Sequence, residues 1–247
     1  MKRILASSCL AAALAIATAV PAQADTTKDT PGGPCTTGPG VGTGNPCNDN
    51  SGNPSPEGNN DKGKWDKHPD PFTISRPGND HGAFITQIGD GGNAAISQTA
   101  NTQYARIDQD GDGNDADVAQ SDDGAHYAAI AQTGDGNSLD LDQSGPGTQV
   151  ALLQQTGNRN SMLFDQHGGT VSSGVAASQL GDDNTMKLTQ SGDDNQALLT
   201  QNGSGNAMTA SQTGGNNQLA WTQNGDNHSD LSISQTGGEA VAVTQSW

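Results

Sequence analysis

The stretch Gln109-Asp110-Gly111-Asp112-Gly113-Asn114-Asp115-Ala116-Asp117-Val118-Ala119-Gln120 opens and closes on glutamine, and the residues between decide the fold. Counting back from Gln120, Val118 stands two before, Ala116 four before and Asn114 six before. Side chains two apart share one face of a β-strand, so asparagine, small apolar, larger apolar and glutamine line a single side of about seven residues. Gly111 and Gly113 supply the backbone freedom of a tight corner. The unit reads as one strand followed by one turn.

Working outward, glutamine recurs at Gln87, Gln98, Gln109, Gln120, Gln132, Gln143, Gln155, Gln166, Gln179, Gln190, Gln201, Gln212, Gln223, Gln235 and Gln245, with a dominant spacing of 11. A fixed period is the signature of a repeat architecture. Two residues before these glutamines stand Ile85, Ile96, Ile107, Val118, Ile130, Leu141, Leu153, Phe164, Ala177, Leu188, Leu199, Ala210, Trp221, Ile233 and Val243, all apolar. Four before are Ala, Leu, Met or Val without exception, from Ala83 to Val241. Six before, asparagine dominates, as Asn114, Asn137, Asn160, Asn184, Asn195, Asn206 and Asn217, with Gln103 and Gln149 as close relatives. Glycine follows two residues after twelve of the fifteen.

A helical 11-residue repeat would place its apolar residues three or four apart, whereas here they lie two apart. The extra residues before Gln132, Gln155, Gln179 and Gln235 fit between a turn and the next strand, where insertions are tolerated.

A strand with two apolar positions cannot bury them alone, so the units must stack. Two successive units make one 22-residue coil of an all-β, flat β-solenoid of stacked strand-turn-strand repeats. Fifteen strands give about seven and a half layers, roughly 36 Å tall at ~4.8 Å per layer. The glutamines and asparagines share parity with the apolar columns and are expected to form inward amide ladders, each amide bonding its equivalent one layer away. Replacing Gln190 and Gln201 is accordingly expected to matter more than replacing Gln196 and Gln218, which fall on the outward parity. Phe164 and Trp221 fall in the core.

Composition bounds the rest. Leu, Ile, Val and Phe total 34 of 247 residues, Gly and Pro 45, and aromatics only 3%. Such a chain lacks the core of a conventional enzyme. With 27 acidic against 10 basic residues it offers no basic face for nucleic acid, and no segment beyond the first 24 residues is apolar enough for membrane insertion. Within 81–247, 19 acidic residues face only Arg106, Arg159 and Lys187, a restraint on premature aggregation.

Residues 1–24 read as a secretory signal peptide, with Lys2 and Arg3, an apolar run to Val20 and an Ala22-Gln23-Ala24 cleavage site. Residues 25–80, rich in Gly, Pro and Asn, read as a disordered leader, with Trp65 and Lys62, Lys64 and Lys67 as linker or as a recognition element. Residues 81–247 form the repeat array. Cys35 and Cys47 are candidates for a disulfide in an oxidising compartment, two tolerated thiols being the alternative.

The unit resembles the curlin repeat, with the pattern Q-x-G-x-G-N-x-A-x-x-x-Q, seen nearly whole over Gln109–Gln120 and again from Gln190 through Gly192, Asn195 and Ala197 to Gln201. The resemblance covers about two thirds of the chain. It implies a subunit of curli, an extracellular or cell-surface functional amyloid of biofilms: exported through the periplasm and an outer-membrane pore, polymerising with itself, and served by a nucleator subunit. A minor, nucleating role is one alternative. A non-polymerising secreted solenoid that binds a surface or ligand is another, although the outward position before each glutamine mixes Thr86, Ser97, Asp108, Ala119, Asp142 and Gln154 rather than repeating one residue.

Other chemistry is weak. Asp108 to Asn114 looks like the start of a calcium loop, yet its twelfth position is Ala119 where a bidentate Glu is needed. His81, His126, His167 and His228 fall at or near turns with no local nucleophile motif, so neither a catalytic group, a metal nor a cofactor is expected.

Overall fold

The computed structural model describes residues 72–228 and 230–246. The signal segment 1–24, the leader to residue 71 and the Cys35–Cys47 pair lie outside the described residues.

Every element described is a β-strand, and the strands alternate between two parallel sheets. The odd sheet, in spatial order, holds β1 (Gly82–Ile88), β3 (Tyr104–Asp110), β5 (Tyr127–Thr133), β7 (Gln149–Thr156), β9 (Ser173–Leu180), β11 (Gln196–Asn202), β13 (Gln218–Asn224) and β15 (Ala240–Ser246). The even sheet holds β2 (Asn93–Gln98), β4 (Asp115–Gln120), β6 (Ser138–Ser144), β8 (Ser161–Gly168), β10 (Thr185–Gly192), β12 (Ala207–Thr213) and β14 (Leu231–Thr236). Two consecutive strands therefore make one coil, and the chain is a β-solenoid of about seven turns.

Register follows the glutamines throughout. Gln109 pairs with Gln132, 23 residues on, and Gln155 with Gln179, 24 residues on, while Gln201 pairs with Gln223 at 22. The inserted residues are absorbed at the corners, because a one-residue slip within a strand would turn every inward side chain outward.

At the corners the peptide planes stack too. In the corner after β3, the Gly111 N–H donates to the Ile88 carbonyl of the coil before, and the Gly134 N–H donates to the Asp110 carbonyl, each at 2.9 Å. Gly157 occupies the same place one coil further on, with φ +115°, and a Cβ there would lie 2.1 Å from the Gly181 carbonyl oxygen. Two residues further on, the backbone is again left-handed: Gly113, Gly136, Arg159, Asp183, Gly205 and Asn227 all sit there with φ between 56° and 69°, and nothing lies near a Cβ at Gly113.

Ala, Ile, Val, Leu, Met, Phe164 and Trp221 fill the space between the sheets, in two columns from each sheet. Ile107, Val118, Ile130, Leu141, Leu153, Phe164, Leu188, Leu199 and Trp221 are buried as the parity requires. Ile85 departs from that expectation at 47% exposure, and Ile96, Ile233 and Val243 are half-buried. All four lie on β1, β2, β14 or β15, the strands with a neighbour on one side only.

The two outer faces differ. The even face carries Asp115, Asp117, Asp140, Asp142 and Asp165 on adjacent strands. Burial first, then these like-charged neighbours, push the Asp140 carboxyl above its usual range. The odd face carries Phe84, Tyr104, Tyr127, Ala129, Leu152, Ala176 and Leu198, with Tyr104 and Tyr127 stacked at 4.7 Å between ring centroids.

Residues 72–80 lie against the odd face. The Ile74 N–H donates to Gln196 Oε1 at 2.9 Å, and Gln218 Nε2 reaches the Phe72 carbonyl at 3.5 Å. Arg76 donates to the carbonyls of Thr102 and Ala125 at 3.2 Å and lies over the Tyr127 ring. Gln196 and Gln218 keep their outward parity, yet Gln196 is only 1% exposed and Gln218 is half-buried. Residues 72–80 thus cover two positions that face outward.

Candidate functional site

The inward glutamines form two continuous ladders with a fixed direction. Gln98 Nε2 donates to Gln120 Oε1, Gln120 to Gln143, Gln143 to Gln166, Gln166 to Gln190, Gln190 to Gln212 and Gln212 to Gln235. On the odd sheet Gln109 donates to Gln132, Gln132 to Gln155, Gln155 to Gln179, Gln179 to Gln201, Gln201 to Gln223 and Gln223 to Gln245. These bonds run from 2.7 to 3.0 Å, and each donor points toward the higher-numbered strand. The second amide proton fixes that direction: it goes to a carbonyl at the start of the preceding strand, as from Gln109 to Asn93 and from Gln120 to Tyr104, both at 3.0 Å. Buried amides are thereby satisfied on both atoms.

The lowest rung departs from the expected ladder. Gln87 is exposed and its amide lies beside Gly92, leaving the buried Gln109 Oε1 without a donor. An edge strand has nothing beneath it to hold the side chain in line.

The asparagine ladder forms on one side. The Asn137, Asn160, Asn184 and Asn206 N–H groups donate to the Oδ1 of the asparagine one coil before, at 2.9 to 3.1 Å, and their Nδ2 groups reach the corner carbonyls of Gly157, Gly181, Gly203 and Gly225. The opposite corner is mixed: Gln103, His126, Gln149, Ser173, Asn195 and Asn217 share it. Asn217 Nδ2 donates to Asn195 Oδ1 at 2.8 Å there.

His126 is the member that sequence reading missed, although it stands six residues before Gln132. The ring is fully buried; Nε2 faces the Ser121 carbonyl at 2.8 Å and Nδ1 accepts the Gln149 N–H at 3.2 Å. Those partners require the neutral tautomer with its proton on Nε2. Burial lowers its pKa below 6.5, partly countered by the Ser121 carbonyl and by Asp122 and Asp142. Above pH 6.5 folded and unfolded chains both hold it neutral, and the full stability is present. As pH falls below that value the unfolded chain takes up a proton that the fold refuses, and stability declines. The unfolding midpoint is therefore expected to drop between about pH 7 and pH 5.5, and His126→Gln to flatten that part of the profile. An identical profile in the variant would assign the acid sensitivity to other groups.

The corner acids are structural as well as repulsive. Asp112 Oδ1 accepts the Asp90 N–H at 2.7 Å, Asp135 that of Asp112 at 2.9 Å, Asp182 that of Asn158 at 2.7 Å, and Asp226 that of Ser204 at 2.7 Å. This third ladder uses the residue three after each odd-sheet glutamine, a position legible only once the coils are aligned at 22 to 24 residues. It also explains the calcium-like stretch: Asp108 and Asp110 lie in β3, with Asp108 paired to Arg106 at 2.6 Å, and Asp112 serves the corner.

Ser144, His167 and Asp165 meet on the even outer face, His167 Nε2 lying 2.9 Å from Asp165 and Nδ1 against Ser144 Oγ. The strands beneath are paired on both sides, so their N–H groups are spent on the ladders rather than aimed at an oxyanion. Among the described residues no group of His, Cys, Asp and Glu is arranged to hold a metal ion.

A family model described as the curlin associated repeat matches residues 93–121 and 181–214. The chain carries curlin repeats over these two stretches. The first match runs from β2 through β4 and the second from the corner before β10 through β12, so the curlin repeats coincide with the observed strand-turn-strand units. Strands β5 to β9 between the two curlin matches hold the same register. Searches of the curated proteins and of the solved structures returned no match. What the curlin-repeat array offers chemically lies at its ends, where β1, β2, β14 and β15 each have one ladder neighbour and carry the inward columns to the surface.

Proposed function

We propose that this chain is a structural subunit of an extracellular, curli-type amyloid fibre, secreted through its leader and polymerised at the cell surface for matrix formation and adhesion. The observation that supports this reading most is that both ends of the stack repeat the interior. Gln235 and Gln245 end the amide ladders with their amide nitrogens, Gln98 begins the even-sheet ladder with its amide oxygen, and the buried Gln109 Oε1 stands ready for a donor on the odd sheet, while the same apolar columns run toward each edge. Parallel edge strands of this kind are templates for a further copy. The curlin repeat supports a self-assembling partner, with a nucleator subunit and an outer-membrane export pore as further partners.

The test is assembly of the purified mature chain, residues 25–247. It is expected to show a lag, abolished by preformed seeds, and to give fibrils with a ~4.7 Å cross-β spacing. A chain that stays monomeric with seeds present would reject the reading.

A further inference from the structure

The way two copies would join rests on the assembly reading above and is fixed by strand parity. Among the described residues the odd sheet has eight strands and the even sheet seven. Both half-coils climb equally, since each inward glutamine reaches a carbonyl at the start of the strand just before it, whether passing from even to odd sheet or from odd to even. Examples are Gln201 to Thr185 and Gln212 to Gln196, both at 3.1 Å. A uniform climb with an odd strand count makes each end a step of half a layer. At the first end β1 protrudes on the odd side; at the other end β15 protrudes, also on the odd side.

Stacking without rotation would set protrusion on protrusion. β1 of the added copy would lie on β15, and between β14 and the added β2 one strand position would be empty, about 10 Å across the even sheet. Turning the added copy by half a revolution about the stack axis reverses its strand directions and exchanges its sheets, so that each protrusion enters the other's recess. We propose that copies of this chain join head to tail through this half-turn, β1 of one copy adding to β14 of its neighbour and β2 to β15.

The columns then continue unbroken. Aligned on their glutamines, Ile233 meets Ile85 and Val243 meets Ile96, while Gln235 meets Gln87 and Gln245 meets Gln98. Gln235 already makes the two kinds of backbone bond that Gln190 makes, to Gln218 and Glu239 at 2.9 and 3.0 Å, and lacks only the third partner that Gln190 has in Gln212. A Gln87 drawn into line by Gln235 supplies the donor that the buried Gln109 Oε1 lacks. Along the fibre the acidic even face alternates sides from one subunit to the next, which separates the clusters around Asp140.

Intermolecular cross-linking distinguishes the two junctions. In full-length mature chain with Cys35→Ser and Cys47→Ser, the pair Thr86→Cys and Ser234→Cys lies on outward positions that become in-register neighbours only with the half-turn. The pair Thr86→Cys and Thr244→Cys become neighbours only without it. Parallel neighbours about 4.8 Å apart lie within disulfide reach. Oxidised fibrils of the first pair are expected to give a covalent ladder of multimers and those of the second none. Multimers from the second pair would overturn the half-turn while leaving assembly intact; absence of fibrils from the unsubstituted chain would overturn both. Helical reconstruction of unsubstituted fibrils provides an independent measure. A rise of about 36 Å with a half-turn added to the solenoid twist is expected, and a rise of about 38 Å without it would overturn the junction.

Discussion

Gly157→Ala is expected to destroy the stack rather than weaken it. The new Cβ would sit 2.1 Å from the Gly181 carbonyl oxygen and 2.7 Å from its carbon, both backbone atoms of the next coil. No side chain can turn aside to make room. The backbone at φ +115° is also outside the region an L-residue adopts, which by itself costs about 1–3 kcal/mol. Moving the corners apart then breaks the Gly157 N–H bond to Thr133 at 2.9 Å and the Gly181 N–H bond to Thr156 at 3.0 Å, about 0.5–1.5 kcal/mol each. These terms come to about 2–6 kcal/mol before the clash of Cβ with the next coil's backbone is added, against about 5–15 kcal/mol for the whole stability of a typical domain. Gly113→Asn is the control: φ is 66°, nothing lies near its Cβ, and Asn227 occupies the equivalent corner position. Circular dichroism with denaturant titration is expected to show Gly113→Asn within about 1 kcal/mol of the parent and Gly157→Ala without a folded baseline. Equal midpoints would show that the corners do not stack as described.

Gln190→Leu tests the amide ladder with little change in volume, so its cost is electrostatic rather than a cavity. Gln190 is buried, accepts from Gln166 at 2.8 Å and donates to Gln212 at 2.7 Å. Leucine leaves one Gln166 amide proton and the Gln212 side-chain carbonyl unpaired away from water, and strips the carbonyls of Gly174 and Asn195 of a donor. Orphaned buried groups cost about 1–3 kcal/mol each, so the two unpaired groups predict a loss of about 2–6 kcal/mol. Gln201→Leu, between Gln179 and Gln223, is expected to behave alike. The proper outward control is Gln154, half-buried on the odd face, where leucine is expected to cost under about 1 kcal/mol. Gln196 and Gln218 do not serve, because residues 72–80 bond to both. Comparable losses at Gln154 and Gln190 in chemical denaturation would reject the inward ladder.

Much of this fold was legible from one unit. Inward parity, the glycine corners and the in-register stacking all follow from residues two apart and glutamines eleven apart, since these are local constraints that every repeat restates. His126 was less legible because a ring in an asparagine column breaks the residue type while keeping the position. The corner aspartates looked like solvated charge, and their acceptor role needs the backbone N–H of a residue 22 to 24 positions earlier. Ser144 and His167, likewise 23 apart, meet only because their strands are neighbours in the even sheet.

The sequence by itself determined that this chain is a stack of strand-turn units with amides, not hydrocarbon alone, lining its interior, because side-chain alternation along a strand leaves no other way to shelter those columns. The tertiary structure decided what an 11-residue period cannot express. Successive units go to opposite sheets, so units two apart become neighbours, one outer face gathers the Asp140 cluster while the other gathers aromatic and aliphatic side chains beneath residues 72–80, and the ladders acquire a direction. Each of these is a relation between residues one coil apart, set by which strand lies on which, and that order exists only once the chain has coiled.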